Sequence, residues 1–230
     1  IGQNANASGP STTNTLFASV AVGVNTTAVD NATAIGNNAI ARFSGTATPL
    51  SSGINSAVAI GANAVAVGSN TIAIGTTARA GTGFALNNPA ADVLGGSNIT
   101  VVGGRAEANA NNATALGADS NVSGASGTAV GATSQATADF TTAVGHNARA
   151  SDFVTTAVGQ GSQAIGFAAT AYGQASFAQG NRATAMGGSA QATGSFSTAV
   201  GFDAQAAGTS GTAIGMASRA NLANTTAIGQ

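Results

Sequence analysis

The sequence predicts an all-β fold: a parallel β-solenoid, wound as a flattened roll in coils of fourteen residues. Three observations carry that expectation. Glycine stands at Gly61, Gly75, Gly103, Gly117, Gly131, Gly145, Gly159, Gly173, Gly187, Gly201, Gly215 and Gly229, and every gap is a multiple of fourteen. A threonine-alanine-aliphatic triplet precedes most of these glycines, as in Thr142-Ala143-Val144 and Thr212-Ala213-Ile214. The motif also returns at half-period, with Gly159, Gly166, Gly173, Gly180 and Gly187 seven residues apart. A register held without a slip from Gly61 to Gly229 means stacked, equivalent coils rather than a low-complexity disordered segment, which needs no fixed phase.

Each coil reads as two legs and two returns. The triplet alternates with a period of two, so it forms a strand with threonine and the aliphatic residue on one face and alanine on the other. The aliphatic column comprises Ile60, Ile74, Val130, Val144, Val158, Val200, Ile214 and Ile228, the candidate core of the roll or of its assembly, with Tyr172 and Met186 as exceptions. The glycine that follows turns the chain, supplying backbone angles or a close approach that a side chain would forbid. Three residues on stands Ala or Ser, as in Ala148 and Ser162, and two further on Ala, as in Ala150 and Ala164, which makes the second leg. Facing columns of Ala, Ser and one aliphatic residue leave a thin interior. A lone roll therefore buries little apolar surface for each coil it orders, and an obligate homo-oligomer is expected to bury a second face. Pattern alone leaves open which face meets the partner.

The coil pattern is interrupted in two stretches. Gly36 and Gly61 are twenty-five residues apart, with the extra residues near 42–56, and Pro89 occupies a glycine position within 81–98. Insertions in solenoids emerge as surface loops and often carry binding, so Arg42, Phe43, Leu50, Phe84, Leu86 and Leu94 are candidate adhesive positions; tolerated insertions without a role account for them equally well. The chain opens and closes inside the motif, at Ile1-Gly2-Gln3 and Ile228-Gly229-Gln230, and reads as a piece of a longer array.

Composition excludes several functions. Net charge is −1 and only 6% of the 230 residues are charged, against roughly 25% in ordinary domains, so no field steers a polyanion and nucleic-acid binding is not expected. No apolar run approaches the roughly 20 residues of a membrane helix, and no insertion into a membrane by this stretch is expected. With no cysteine and a single histidine, His146, no metal cluster is expected and no cofactor; the glycines lack a nucleotide-binding context. His146 lies in a variable column near Asp139 and Asp152 without an orienting motif, so catalysis is not expected.

Local matches also point elsewhere. Regular threonine rows are what an ice-binding solenoid would use, but that needs an exposed flat double row, and Ala-Val beside each threonine favours burial. Val-Gly-x-x-Ser resembles a hexapeptide acyltransferase rung, yet a six-residue period fits neither seven nor fourteen. Phe140, Phe153, Phe167, Phe177 and Phe196 fall mostly on the return, where they either pack over the roll or form an adhesive strip.

The repeated Ala-Ile/Val-Gly-x-x-Ser/Ala-x-Ala unit, clear in Ala59-Ile60-Gly61-Ala62-Asn63-Ala64-Val65-Ala66 and in Thr212 to Ala220, resembles the YadA-like heads of trimeric autotransporter adhesins. That resemblance covers nearly the whole chain, 1–230, as one head domain. It implies a left-handed roll, three identical chains side by side, and display on the outer membrane of a Gram-negative bacterium. It further implies adhesion to host matrix proteins or cells, or between bacteria. The family often places Val ahead of the Ala-Ile step, as Val58 and Ile72 do; Thr fills that column from Thr100 onward.

Overall fold

The computed structural model describes residues 1–8, 19–29, 31–42, 56–81 and 96–229, which fall into two compact units, Ile1–Ser120 and Asn121–Gln230. Each unit is a parallel β-solenoid with coils of about fourteen residues, and no described residue is helical.

One coil of the second unit shows how the sequence closes on itself. Thr142–Val144 is a strand, Gly145-His146-Asn147 turns, Arg149–Ala150 is a second short strand, and Asp152-Phe153-Val154 turns back. The next coil stacks on it in register, Thr142 on Thr156, Ala143 on Ala157, Val144 on Val158, and Arg149 on Gln163. Identical columns therefore lie over one another, and two parallel sheets face each other across the roll. Backbone bonds run from coil to coil through the turns as well: Gly159 N–H donates to Val144 O at 2.8 Å and Gly161 N–H to His146 O at 2.9 Å. With the main chain paired at strand and turn alike, short strands suffice.

Four side chains of this coil point inward, Ala143, Ala148, Ala150 and Thr155, and all are 0% exposed. Most inward hydroxyls bond the carbonyl three residues back: Thr155 Oγ1 donates to Asp152 O at 2.7 Å and Ser162 Oγ to Gly159 O at 2.9 Å, whereas Thr26 Oγ1 donates to Gly36 O and Ser197 Oγ is left without a partner among the described residues. The hydroxyls bonded three residues back are satisfied inside the turn, so Ser and Thr substitute for Ala in a dry interior at little cost. Some larger residues enter where a glycine leaves space, although Val101 is fully buried in the alanine column between Ala73 and Ala115. Val122 is fully buried because its Cγ1 lies 2.6 Å from where a Cβ on Gly127 would sit, and in the first unit Ile99 fills the room left by Gly96.

The sequence reading leaves the aliphatic column to the core of the roll or of its assembly; in the single chain the column does not line the interior. Since the alanine of each triplet turns inward, alternation sends its neighbours out. Ile60, Val130, Val144, Val158 and Val200 are half-buried on the outer surface, while Ile74, Ile214 and Ile228 are exposed. The interior is thin and lined mainly by methyl groups, with a few Thr- or Val-sized residues such as Thr155 and Val122.

Gly145 shows why its column tolerates nothing else. Its φ is +131°, and an added Cβ would lie 2.5 Å from Gly159 O and 2.6 Å from Gly159 C in the coil above. A second special column escaped the sequence reading. From Thr133 to Asn224 every seventh residue is left-handed, including Asn147 (φ 56°), Val154 (58°), Gly161 (66°), Arg182 (55°) and Phe196 (60°). The coil is thus two seven-residue halves of like geometry, each ending in a residue held in the αL region.

Both interruptions lie within the first unit, and the sheets continue across them. Ile40–Arg42 pairs with Val65–Val67, and Thr33–Ile35 with Val58–Ile60, at a separation of twenty-five residues. Gly68 pairs with Gly96 and Ile72 with Thr100, at twenty-eight.

Candidate adhesive surface

With the inside sealed by methyl groups, any binding chemistry belongs to the outside. That surface has four strips, each a stack of equivalent positions. On the triplet leg, threonine and aliphatic rows lie side by side; Tyr172 and Met186 continue the aliphatic row at 56% and 45% exposure. On the opposite leg of the second unit the outward row is polar, with Gln135, Arg149, Gln163, Gln191, Gln205 and Arg219, interrupted by Phe177. The two broad faces therefore differ: one is a row of apolar side chains without a cover in the single chain, the other a hydrated row.

The turns form the two narrow edges. The edge after the turn glycines carries His146, Gln160, Gln174 and Phe202. The edge after the polar leg carries a ladder of rings. Phe140 meets Phe153 edge to face at 5.5 Å between centroids, and Phe153 stacks on Phe167 at 6.1 Å with the rings 6° apart. The guanidinium of Arg182 then lies 5.9 Å from the Phe167 ring and 5.7 Å from Phe196. Five successive coils are thereby joined by side chains that stay partly in water, from 39% exposed at Phe167 to 56% at Phe140. Cation–π and ring contacts of this kind hold the rows in order without burying them.

In the first unit the αL column builds a polar ladder instead. Asn98 Nδ2 donates to Asn112 Oδ1 at 3.1 Å, and Asn70 to Asn98 at 3.2 Å. Arg105 Nε donates to Asp119 Oδ1 at 2.6 Å, and its Nη2 reaches the second oxygen. That bidentate contact holds the Asp119 carboxyl below its ordinary value and raises the Arg105 guanidinium. Both side chains are well exposed, so water and salt screen the pair.

Of the candidate adhesive positions, Arg42 ends the Ile40–Arg42 strand beside Val67, half-buried, and burial lowers its guanidinium pKa. Phe43, Leu50, Phe84, Leu86 and Leu94 lie outside the described residues. His146 sits in the turn after the triplet leg, whereas Asp139 and Asp152 sit in turns after the polar leg, so no relay joins them. Both carboxylates serve the backbone: Asp139 Oδ1 accepts from Ala125 N–H at 2.8 Å and Asp152 Oδ1 from Phe153 N–H at 2.7 Å. Among the described residues no group of three or more His, Asp or Glu side chains is placed to hold a metal ion, and no helix is long and apolar enough to cross a membrane.

Fold and surface together define a repeat solenoid whose working part is its outside. The family comparison is more specific: the model of the YadA head domain repeat matches residues 52–78, 100–120, 123–148 and 178–204. The matched segments of this chain are YadA head repeats, and they support a YadA-like head domain. Stretches between the matched segments, such as Thr156–Val158 on Thr170–Tyr172, keep the same pairing. YadA heads come from non-enzymatic surface adhesins anchored in the outer membrane of Gram-negative bacteria, and a head implies an adhesin-type role. No curated protein matches the chain.

Proposed function

We propose that residues 1–230 act as one head of a homotrimeric adhesin on a Gram-negative cell surface, attaching the cell to host extracellular matrix, to host cells or to other bacteria. No chemistry is involved: attachment is a sum of weak contacts, multiplied by three chains and by many copies per cell. The observation that supports this most directly is the aliphatic row. A residue such as Val144, half-buried outside a closed alanine interior, is repeated coil after coil in one line. Two further identical chains, laid side by side, would cover such a line and make it the trimer core. Arg42, Phe43, Leu50, Phe84, Leu86 and Leu94, in the stretches 42–56 and 81–98, are the candidate contact positions outside the regular repeat.

Light scattering coupled to size exclusion tests the assembly. The parent chain is expected at three times its 21.6 kDa mass, and a Val144→Asp/Val158→Asp variant at lower mass with its β circular dichroism retained. A parent chain that stays monomeric at tens of micromolar would refute the trimer. Binding to immobilised matrix proteins and to cultured cells, compared with beads carrying an unrelated solenoid, then tests adhesion.

A further inference from the structure

The aromatic edge of the second unit carries more information than stickiness. Counting one rung per coil, its five rungs are Phe140, Phe153, Phe167, Arg182 and Phe196. Acid accompanies the first two, Asp139 beside Phe140 and Asp152 beside Phe153. Arg182 is the only charge between Asp152 and Asp203, and the rings of Phe167 and Phe196 flank it. The stripe is therefore acidic at one end, aromatic in the middle and basic one rung beyond the middle.

Such a stripe matches itself when reversed. A two-fold axis through Phe167 places Arg182 of one chain at the level of Asp152 and Phe153 of the other, and the reverse, while Phe140 meets Phe196. Arg182 then faces Asp152 in both directions, Asp139 lies over the uncharged Phe196 rung, and the remaining rungs are aromatic against aromatic. Parallel chains, as around a three-fold axis, bring equal levels together, and at the level of Arg182 no coil carries a carboxylate. An isologous contact is self-complementary in this sense, and the charge pattern selects the antiparallel one. We infer that the Phe140–Phe196 edge is a docking stripe for a second copy of this chain running in the opposite direction, as heads on two facing cells would run.

The inference rests on the reading of the chain as a surface-displayed head. Its footprint is small: four rises of about 4.8 Å make roughly 19 Å of edge, well short of the ~800 Å² per partner of a stable complex. A single contact is weak, and pairing emerges when many heads are displayed together.

The test uses the full chain coupled by one end to microspheres, with clustering followed by turbidity. The parent is expected to cluster. Arg182→Asp sets acid against acid and Asp152→Arg sets base against base, so each alone requires at least tenfold more chain on the bead. Mixing the two bead populations restores both pairs at once, and they are expected to co-cluster within about threefold of the parent, which also shows that both variants fold. Phe167→Ser, on the axis, should weaken clustering while β circular dichroism stays unchanged. Single variants that cluster like the parent, or folded variants that stay dispersed when mixed, overturn the inference. The same beads are assayed on matrix proteins and cells: binding there without charge-dependent clustering removes the stripe and leaves the adhesin reading, while failure of every attachment removes both.

Discussion

Replacing Gly145 by alanine examines what stacks the coils. The new Cβ would enter a backbone with φ near +131°, where L residues are strained by about 1–3 kcal/mol. It would also sit 2.5 Å from Gly159 O, in the coil that must remain hydrogen-bonded above it. No flexible side chain yields there, since the obstacle is main chain, and overpacking of this kind costs a further 1–3 kcal/mol or so. The sum, about 4 kcal/mol, corresponds to a fall in melting temperature of roughly 10 °C at ~2–4 °C per kcal/mol for a chain of this size. Gly161, one coil on, provides the control. It has φ +66° with nothing within 4 Å of an added Cβ, and Ala168 and Ala175 already occupy equivalent places at 53°. Gly161→Asn should therefore melt at or slightly above the parent, because asparagine tolerates the αL region and restricts the unfolded chain. Both variants are read by thermal melts at 218 nm. A Gly145→Ala chain that melts with the parent would refute the claim that backbone contact between coils fixes that column.

Three further outcomes follow from the same geometry. Ala171→Leu, at a fully buried inward position, should cost about 3 kcal/mol, whereas Val158→Leu on the outer row should leave the roll's β signal intact, as compared by denaturant melts. Asp119→Asn removes a carboxylate whose folded pKa is depressed, so the stabilisation lost is present above the ordinary carboxylate pKa and disappears as pH falls through the lower folded value. Its melting temperature should sit slightly below the parent's at neutral pH, converge with it in strong acid, and converge again in molar salt. Val144→Asp with Val158→Asp should lower the scattering mass of the assembly without unfolding the alanine interior.

Much of this fold was legible because packing writes itself into columns. Thr-Ala-Val before a glycine announces a strand and a turn, and fixed spacing announces stacking. What the sequence concealed was which apolar residue lies inside: Val144 is the more hydrophobic, yet Ala143 takes the interior, where the closely spaced sheets are filled mainly by methyl groups. The αL column was hidden for a different reason. It is set by the turn rather than by residue preference, and Asn147, Val154, Arg182 and Phe196 share it despite having no chemistry in common. The phenylalanines were legible as a strip or as packing, but not Arg182 as a member of their ladder, since Phe140, Phe153, Phe167 and Arg182 are spaced 13, 14 and 15 residues apart and occupy two different places within their turns. Only the stacking of turns brings those places within ring contact.

Because each coil touches only the one before and the one after, and meets both through the same columns, a whole period is the natural quantum of evolutionary change. Gain or loss of fourteen residues returns Thr to Thr and Gly to Gly, so unequal recombination can lengthen or shorten such a gene without harming the product. A slip of seven would set the triplet leg over the polar leg, mixing the two outer faces and setting turn glycines over places held by Asp152 or Leu222. Reach is thereby freed to drift under selection, while the character of each face is held constant.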